Sequence, residues 1–283
     1  MNEARLTVLM PIKNYARRFL EQSLRSIADQ TCDAWRLVVI VEAQDRAHFE
    51  GVLQWLLPDP RVQLTTNQGR QLAGAINTGM RAAATEFVAL LLGDDLWAPE
   101  AVDVLDRRIR QQPEVDFFHS SRRFIDADGN PISSVHQSRT TFALADFTHG
   151  SPVRHLLCWR RSTALAIGGL DETLNSVGPD DYDFPWTMAE HGARFQALPE
   201  CLYYYRDHRD CYRLTTHLPR SVHVRECDRI MRKHGVAWWE RKRRLFRIQR
   251  TFLRQCLYRN RLDQWLKERR GYDALRGWRE TYD

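Results

Sequence analysis

The first hundred residues alternate short apolar runs with segments of helical periodicity. Four apolar runs predict buried strands over residues 6–12, 35–41, 62–65 and 86–92, and the segments between them predict helices over 17–30, 46–57 and 72–84. Strands and helices that alternate at this spacing are typical of right-handed βαβ units and a mostly parallel sheet. Ligands bind at the carboxyl ends of such strands, so we expect the chemistry in the loops after Pro11, Val41 and Leu92.

The rest of the chain has a less regular pattern. We expect a strand over residues 115–125, a helix from 97–100 onwards, a helix over 180–191 that ends at Gly192, and a last strand over 202–205. Beyond Pro219 the pattern becomes helical and rich in Arg, with Leu245, Ile248, Phe252 and Cys256 on one apolar stripe.

The net charge of +6 is distributed unevenly over the 283 residues. Residues 219–283 contain 19 Lys or Arg and 8 Asp or Glu, a net charge of +11, whereas residues 1–218 contain 23 and 28, a net charge of −5. The sequence pI of 9.1 therefore does not indicate a uniformly basic nucleic-acid-binding protein. We expect no nucleic-acid partner.

Three other classes of protein are disfavoured. The longest apolar runs are far shorter than the roughly 18 residues of a membrane span, and the N-terminus shows no signal segment. The six cysteines form no CxxC pair and have no regular spacing, which is typical of reduced thiols rather than of disulfides or a zinc site. These features predict a cytoplasmic protein.

Asp94 and Asp95 follow an apolar strand directly, after Gly93. Carboxylates in this position need water or a partner, and Mg²⁺ or Mn²⁺ bridging to substrate phosphates is a suitable one. The alternative is a structural helix cap at the start of the next helix. The dipeptide alone leaves both interpretations open.

A second acidic cluster, Asp180-Asp181-Tyr182-Asp183, precedes an apolar helical segment. Acidic residues in a first turn oppose the helix dipole favourably, which is a purely structural explanation. Crowded like charges also raise at least one carboxyl pKa, which suits a general base. A third stretch, Tyr203 to His208, ends a strand and is either packing or a ligand-binding segment.

Nine stretches, taken in order, resemble the inverting glycosyltransferases of family 2, which have the GT-A fold. Each stretch alone is weak evidence, but nine in the right order and spacing are specific, and they cover about three quarters of the chain. They are LTVLMPIKN (6–14), LRSIADQT (24–31), NQG (67–69), AINTG (75–79), LLLGDDLWAPEAV (90–102), IDADGNPI (125–132), IGGLDETL (167–174), DDYDF (180–184) and LPECLYYYRDHRD (198–210).

The resemblance implies an α/β fold with a mixed, mostly parallel sheet flanked by helices, a Rossmann-like nucleotide half and a C-terminal helical tail. It assigns residues 1–98 to the nucleotide sugar and residues 99–218 to the acceptor, and it leaves 219–283 as a basic helical extension. The implied donor is a nucleoside diphosphate sugar, and the implied acceptor is a saccharide, a lipid-linked molecule or a small molecule.

On the donor side, the resemblance places Pro11 and Asn14 beside the nucleotide ring. Asp94 matches the last acid of the DxD-type motif, which contacts the Mg²⁺ or Mn²⁺ ion on the donor diphosphate, and Asp95 is the usual additional acid there. Asn77, in the third helix, is expected to contact the nucleotide sugar.

On the acceptor side, Asp181 matches the general base that deprotonates the acceptor hydroxyl, and Asp180 stands where a Glu is usual. Arg206 is expected to bind the donor diphosphate, and His208 the diphosphate or its metal. The candidate acceptor contacts in the second half are His119, Arg122, Arg123, His136 and His155.

The sequence departs from the family pattern at four places, of which one is Lys13, where a stacking Tyr is frequent. After the second strand the usual Asp-Asp-Gly-Ser loop is replaced by residues 42–45, Glu-Ala-Gln-Asp, so that only Glu42 is left to contact the base. Ile76 replaces a common Arg, and Leu92 replaces the first acid of the DxD-type motif. These changes weaken any prediction that the base is uracil.

Two rival functions are weighed against sugar transfer. A nucleotidyltransferase would normally have a Gly-rich loop after the first strand, and residues 11–18 contain no glycine. A catalytically silent relative that acts as a binding or scaffold subunit is suggested by the altered loop at 42–45. The two retained acidic pairs argue against it.

The basic tail also admits several roles. A helical appendage packed through its apolar stripe, a homodimer contact and a peripheral contact with an anionic membrane each fit a basic helix with aromatic residues. Trp238 and Trp239 precede the basic run 241–244, and Trp265 and Trp278 follow further along.

Overall fold

Nine strands form one sheet in the part of the chain that the structure describes. The structure is a computed structural model, and it describes residues 4–13, 15–174, 178–207 and 220–247. The strands are β1 (Leu6–Ile12), β2 (Trp35–Val41), β3 (Val62–Thr66), β4 (Phe87–Leu90), β5 (Leu96–Trp97), β6 (Phe117–Ile125), β7 (Pro131–His136), β8 (Leu157–Arg160) and β9 (Phe195–Arg206).

Helices flank this sheet and connect its strands. The short connections include one π-helical turn, Pro179–Asp183, which we call the acidic turn because it carries three aspartates. The helices are α1 (Arg17–Ala28), α2 (Arg46–Val52), α3 (Gln71–Ala82), α4 (Ala101–Gln111), α5 (Arg161–Ala166), α6 (Phe184–Glu190), α7 (Arg220–Lys233) and α8 (238–247).

The strand directions bring several carboxyl ends to one edge of the sheet. The order is β3-β2-β1-β4-β8-β6-β9-β5, with β7 beside β6. The long pairings of β1 with β2 and of β6 with β9 are parallel, as are those of β1 with β4 and of β2 with β3. The short strand β8 is antiparallel to both β4 and β6, so those two strands point the same way. The predicted mixed, mostly parallel sheet flanked by helices is confirmed.

Both faces of the sheet are buried, which explains the continuous apolar runs in the sequence. Along β1, Val8 and Met10 pack into one core cluster, whereas Leu9, between them, packs into a second cluster on the opposite face. A half-buried sheet would alternate apolar and polar residues, but a strand covered on both sides does not.

Several predicted elements differ from the observed ones. The segment expected to open a helix at 97–100 instead forms β5, because Leu96 and Trp97 pair with Tyr204 and Tyr203 of β9. The helix expected over 180–191 is divided into the acidic turn and α6, and α2 ends at Val52 rather than at residue 57. The strands β7 and β8 were not predicted, because four to six residues carry too little periodicity to identify a strand.

The C-terminal helices pack against the acceptor half through a small third core cluster. Leu245 of α8 and Ile230 of α7 join Phe147, Leu174 and Trp186 in this cluster. The predicted stripe position at Leu245 is therefore buried, and Ile248, Phe252 and Cys256 lie outside the described residues. Within the described part of the chain, none of the helices combines the length and the apolar character that spanning a bilayer requires.

Two glycine-to-alanine substitutions should change stability in opposite directions. A Cβ added at Gly74 of α3 would lie 2.7 Å from the Cα of Gly69, so Gly74→Ala forces backbone apart and should lower the free energy of unfolding by about 1–3 kcal/mol. A Cβ at Gly51 of α2 meets no atom within 4 Å, so Gly51→Ala should raise that free energy by about 0.5–1 kcal/mol. Urea unfolding of both variants measures these changes. A Gly74→Ala variant as stable as the wild type would contradict the close contact with Gly69, and a destabilised Gly51→Ala variant would contradict the open space at Gly51.

Candidate active site

The carboxyl ends of the parallel strands place the predicted donor residues at one edge of the sheet. Pro11 lies near the end of β1 and is half-buried, and Glu42 follows β2. The Asn67 side chain donates a hydrogen bond of 3.2 Å to Glu42 Oε1. Asp94 and Asp95 follow β4 at the same edge, so the topology brings these residues together as expected.

The two adjacent aspartates of this edge have different environments. Asp95 is 1% exposed, and its two carboxylate oxygens accept hydrogen bonds from the Tyr203 hydroxyl at 2.6 Å and from the Arg206 backbone N–H at 2.7 Å. Burial and the neighbouring Asp95 charge raise the pKa of Tyr203 well above its usual value, so the phenol stays protonated and donates. Asp94 is half-buried. Asp95 is thus bound by the protein itself, whereas Asp94 is the more accessible carboxylate of the pair.

Arg206 is a fully buried residue at the end of β9. Its guanidinium donates to the backbone carbonyl oxygens of Asp94 at 2.8 Å and Ala127 at 3.0 Å, and to Gln22 Oε1 at 2.8 Å. The resemblance implied that this side chain binds the diphosphate. The structure places it inside the protein, where it supports the loop of Asp94 and Asp95.

Asn77 is also committed to contacts within the protein. It is buried in α3, its amide N–H groups donate to the Leu170 carbonyl and to Glu172 Oε1, both at 2.9 Å, and its Oδ1 accepts the Leu170 N–H at 2.8 Å. Gly169, at φ +75°, brings the loop close enough for these bonds. Hydrogen bonds therefore join two of the nine stretches that resemble family 2, AINTG and IGGLDETL.

The acidic turn places two carboxyl groups next to each other at the acceptor side. Gly178 enters the turn at φ +54°, and Pro179 follows. Asp180 is buried, with its Oδ2 3.5 Å from the Nε2 of His155, and Asp181 is half-buried. His155, two residues before β8, thus contacts the first aspartate of the turn.

The electrostatics of the acidic turn distinguish its two neighbouring aspartates. Burial, followed by the Asp181 charge, raises the pKa of Asp180 to about 8. Burial also raises the pKa of Asp181, but the positive charges of Arg122 and Arg154 oppose that shift. Burial therefore favours the protonated form of Asp180 near neutral pH, whereas the two arginines favour the ionised form of Asp181.

Two side chains that the motif analysis did not connect join the acidic pairs. The Tyr203 hydroxyl binds Asp95, and the Tyr203 ring lies 5.2 Å from the His155 ring, which is next to Asp180. Burial and the Arg122 charge lower the pKa of His155 to about 3, so the imidazole is neutral. The repeated Tyr residues at 203–205 were the only sequence signal for this connection.

The remaining four candidate acceptor contacts lie on β6 and β7. Arg122 lies over the rings of Phe124 and Tyr205, at 5.1 and 5.4 Å, and its charge acts on Asp181. His119 is fully buried, and burial lowers its pKa to about 4. Arg123 donates a hydrogen bond of 2.9 Å to the Ser133 carbonyl, and the His136 ring packs on Phe124.

A buried ionic network attaches α7 and the residue after it to the acidic turn. Asp183 is 1% exposed, and its oxygens contact Lys233 Nζ at 2.7 Å and His234 Nε2 at 2.9 Å. The other ring nitrogen of His234 lies 2.8 Å from Glu190, and the ring stacks on Trp186 at 4.1 Å. The C-terminal segment therefore restrains the turn that carries the proposed base.

Two predicted site residues, Asn14 and His208, lie outside the described residues. Among the residues that are described, no group of three or more His, Cys, Asp or Glu side chains could hold a metal ion by itself.

Comparison with known sequences identifies relatives over most of this region. The profile of glycosyl transferase family 2 matches residues 7–162. The O-antigen biosynthesis protein RfbC of Myxococcus xanthus is 25% identical over 207 residues, which are 71% of this chain and 16% of that protein. An uncharacterized glycosyltransferase of Methanocaldococcus jannaschii is 23% identical over 217 residues, 75% of this chain and 74% of that protein. The chain thus spans only a small part of the Myxococcus relative.

Solved structures share the fold at low sequence identity. A fragment of TarS from S. aureus in complex with UDP-GlcNAc has a TM-score of 0.64 and 15% identity, covering 97% of this chain and 78% of that chain. The mannosyltransferase PcManGT from Pyrobaculum calidifontis, in complex with GDP-Man and Mn²⁺, has a TM-score of 0.59 and 21% identity, covering 83% and 65%.

The raised pKa of Asp180 should make the folded protein less stable as the pH rises from 7 to 9. Its folded pKa of about 8 exceeds the unfolded value of 3.8, so the folded state resists losing a proton that the unfolded state has already lost. This difference should lower the free energy of unfolding by about 1 kcal/mol across that range. His119 and His155 are neutral when folded but still about one quarter protonated when unfolded at pH 7, so together they oppose this change by only about 0.3 kcal/mol.

Thermal unfolding at pH 7, 8 and 9 measures this effect. Asp180→Asn should remove most of the slope, whereas Asp103→Asn, at an exposed carboxylate of α4, should keep it. Equal slopes in the wild type and the Asp180→Asn variant would contradict the assignment of the proton.

Proposed function

Because the chain belongs to glycosyl transferase family 2, we propose that it moves a sugar from a nucleoside diphosphate sugar to an acceptor hydroxyl, with inversion at the anomeric carbon. The resemblance drawn from the nine stretches is confirmed, and the chain is a glycosyltransferase. One observation carries the finer proposal: the acid pair after β4, in which Asp94 is the more accessible carboxylate, is connected through Tyr203 and His155 to the second acid pair at residues 180–181.

The donor class is supported by the relatives and by the edge of the sheet. Solved neighbours of this fold were determined with UDP-GlcNAc, UDP or GDP-Man. We place the nucleotide in the half formed by residues 1–98, beside Pro11, Asn14 and Glu42. Since residues 42–45 depart from the usual loop, we assign no base, and a uracil or a guanine nucleotide fits the proposal.

A divalent ion fits the donor edge if the substrate supplies most of its ligands. Mg²⁺ characteristically binds one or two carboxylates together with substrate phosphates and water, and the half-buried Asp94 is one such carboxylate. We propose Asp94 as its protein ligand and assign Asp95 to positioning, since both oxygens of Asp95 accept hydrogen bonds from the protein. When bound, Mg²⁺ or Mn²⁺ would stabilise the negative charge that develops on the leaving diphosphate.

Asp181 is proposed as the general base in the half formed by residues 99–218. Its carboxylate accepts the proton of the acceptor hydroxyl while that oxygen forms a bond to the anomeric carbon. The bond from the same carbon to the diphosphate breaks on the opposite face, so a single displacement inverts the configuration. Arg122 and Arg154 favour the ionised form of Asp181, which is the form that a base requires.

Asp180 contributes to this chemistry through its proton. A second negative charge beside Asp181 would increase the affinity of Asp181 for protons and shift its activity to higher pH. A proton on Asp180 removes that second charge, and the raised pKa of Asp180 supports this form near neutral pH. We therefore treat Asp180 as a residue that sets the state of the base.

Replacement of the base tests the acceptor side of the proposal. Asp181→Asn should lower kcat by about 10²- to 10⁴-fold, the usual contribution of a general base, while the affinity for the donor is retained. Steady-state kinetics with a sugar-nucleotide donor and a calorimetric donor Kd separate the two effects, with Asp103→Asn as the matched control. An Asp181→Asn variant with nearly full turnover would contradict the assignment.

Replacement of the metal ligand tests the donor side. Thermal shifts with UDP-, dTDP- and GDP-sugars, with and without Mn²⁺, should show a metal-dependent stabilisation for at least one donor. Asp94→Ala should remove the metal dependence, and Asp103→Ala should keep it. The absence of any shift in the wild type with every donor would favour the catalytically silent alternative.

A further inference from the structure

Large apolar side chains are exposed at five places in the described part of the chain, and three of them lie on α8. Trp238, Trp239 and Phe246 are 63%, 66% and 61% exposed. Single exposed apolar residues are normal on protein surfaces, but three aromatic side chains within ten residues are a concentrated patch.

Helical geometry places these aromatic residues on one face together with basic residues. At 100° per residue, Trp238, Lys242 and Phe246 follow one another at intervals of four, and Trp239 and Arg243 lie beside them. Lys242 and Arg243 are also exposed. We call these five residues the aromatic–basic face.

The neighbouring side of α8 is anchored to the protein, and this fixes the orientation of the helix. Leu245 is buried in the third core cluster. The Arg241 guanidinium contacts Asp228 of α7 at 3.0 Å and the Val236 carbonyl at 2.8 Å, and Arg244 donates to the His149 carbonyl. These contacts hold the aromatic–basic face outwards.

We propose that the aromatic–basic face docks on the surface of an anionic lipid bilayer. Tryptophan has an apolar ring and one N–H donor, and it concentrates at the boundary between headgroups and acyl chains. Lysine and arginine on the same face are attracted to anionic headgroups. The face combines both properties on one helix and carries no acidic residue.

A second copy of the chain fits this face less well. A two-fold contact would place Lys242 and Arg243 of one copy against the same basic residues of the other, and like charges oppose such a contact. Protein interfaces are also depleted in Lys near their centres, whereas Lys242 lies between the aromatic residues here. The charge pattern therefore favours an anionic surface.

The position of α8 assigns the docking surface to the acceptor side of the molecule. The third core cluster that holds Leu245 also contains Trp186 of α6, and Tyr182 of the acidic turn packs against it. The bilayer would therefore lie beside the half that carries Asp180 and Asp181. This inference does not depend on the proposed sugar transfer, because lipid binding is measured without donor or acceptor.

Vesicle co-sedimentation of the full chain tests the proposal. Wild-type protein should bind vesicles that contain phosphatidylglycerol and remain in solution with pure phosphatidylcholine. Lys242→Gln with Arg243→Gln should weaken binding about 30-fold, since each charge near an anionic surface contributes a few-fold in affinity. Arg107→Gln with Arg110→Gln, two exposed charges of α4, should leave binding unchanged.

The aromatic residues are tested with a matched set of variants. Trp238→Ala, Trp239→Ala and Phe246→Ala together should reduce binding to the anionic vesicles by at least about 100-fold. Trp55→Ala, which removes an exposed Trp from another part of the surface, should not reduce it. Trp238→Phe with Trp239→Phe should retain most of the binding, because Phe keeps an apolar ring at both positions. Circular dichroism of the triple alanine variant should match that of the wild type, so that its loss of binding is not caused by misfolding.

Three results would overturn the proposal. The first is that the wild type fails to bind either kind of vesicle. The second is that the triple alanine variant binds as tightly as the wild type. The third is that analytical ultracentrifugation detects a wild-type dimer that the triple variant does not form. The last result would assign the aromatic–basic face to a second copy of the chain.

Discussion

The architecture of the candidate site depends on one buried arrangement, in which the Asp95 carboxylate and the Arg206 side chain are held together inside the protein. Arg206 links the end of β9 to the loop after β4, to the turn after β6 and to α1, and it is fully buried. Asp95 accepts the Arg206 backbone N–H as well as the Tyr203 hydroxyl. Buried polar groups need such partners, so loss of the Arg206 side chain would leave the carbonyl oxygens that it binds without a donor, and loss of the Asp95 carboxylate would leave the Tyr203 hydroxyl without its acceptor.

This arrangement also relates the two acidic pairs to each other. Tyr203 extends from Asp95 to His155, and His155 lies beside Asp180, so the donor and acceptor edges share one set of packed side chains. On its far side the acidic turn is held through Asp183 by Lys233. The carboxylates proposed for chemistry are therefore positioned by residues that need not contact the substrate themselves. That division between reacting and positioning residues is common in sites that require accurate geometry.

Much of the fold could be predicted because its first half is locally encoded. The four apolar runs and the helices between them carry clear periodicity, and β1 and β2 were located to the residue. The second half was harder, because β5, β7 and β8 have two to six residues and exist only through their pairing partners. The acidic turn was predicted as part of a regular helix, since a five-residue π-helical turn is too short to show a periodicity of its own.

By itself, the sequence determined the alternating α/β architecture and the family, and the order of its motifs identified Asp94 and Asp181 as the carboxylates to test. Only the tertiary structure distinguished Asp94 from Asp95, placed Arg206 and Asn77 in hydrogen bonds within the protein, and showed that burial raises the pKa of Asp180. The physical reason is distance along the chain. The partner of Asp95 lies 111 residues away, and burial and charge are properties of the folded neighbourhood rather than of a local motif.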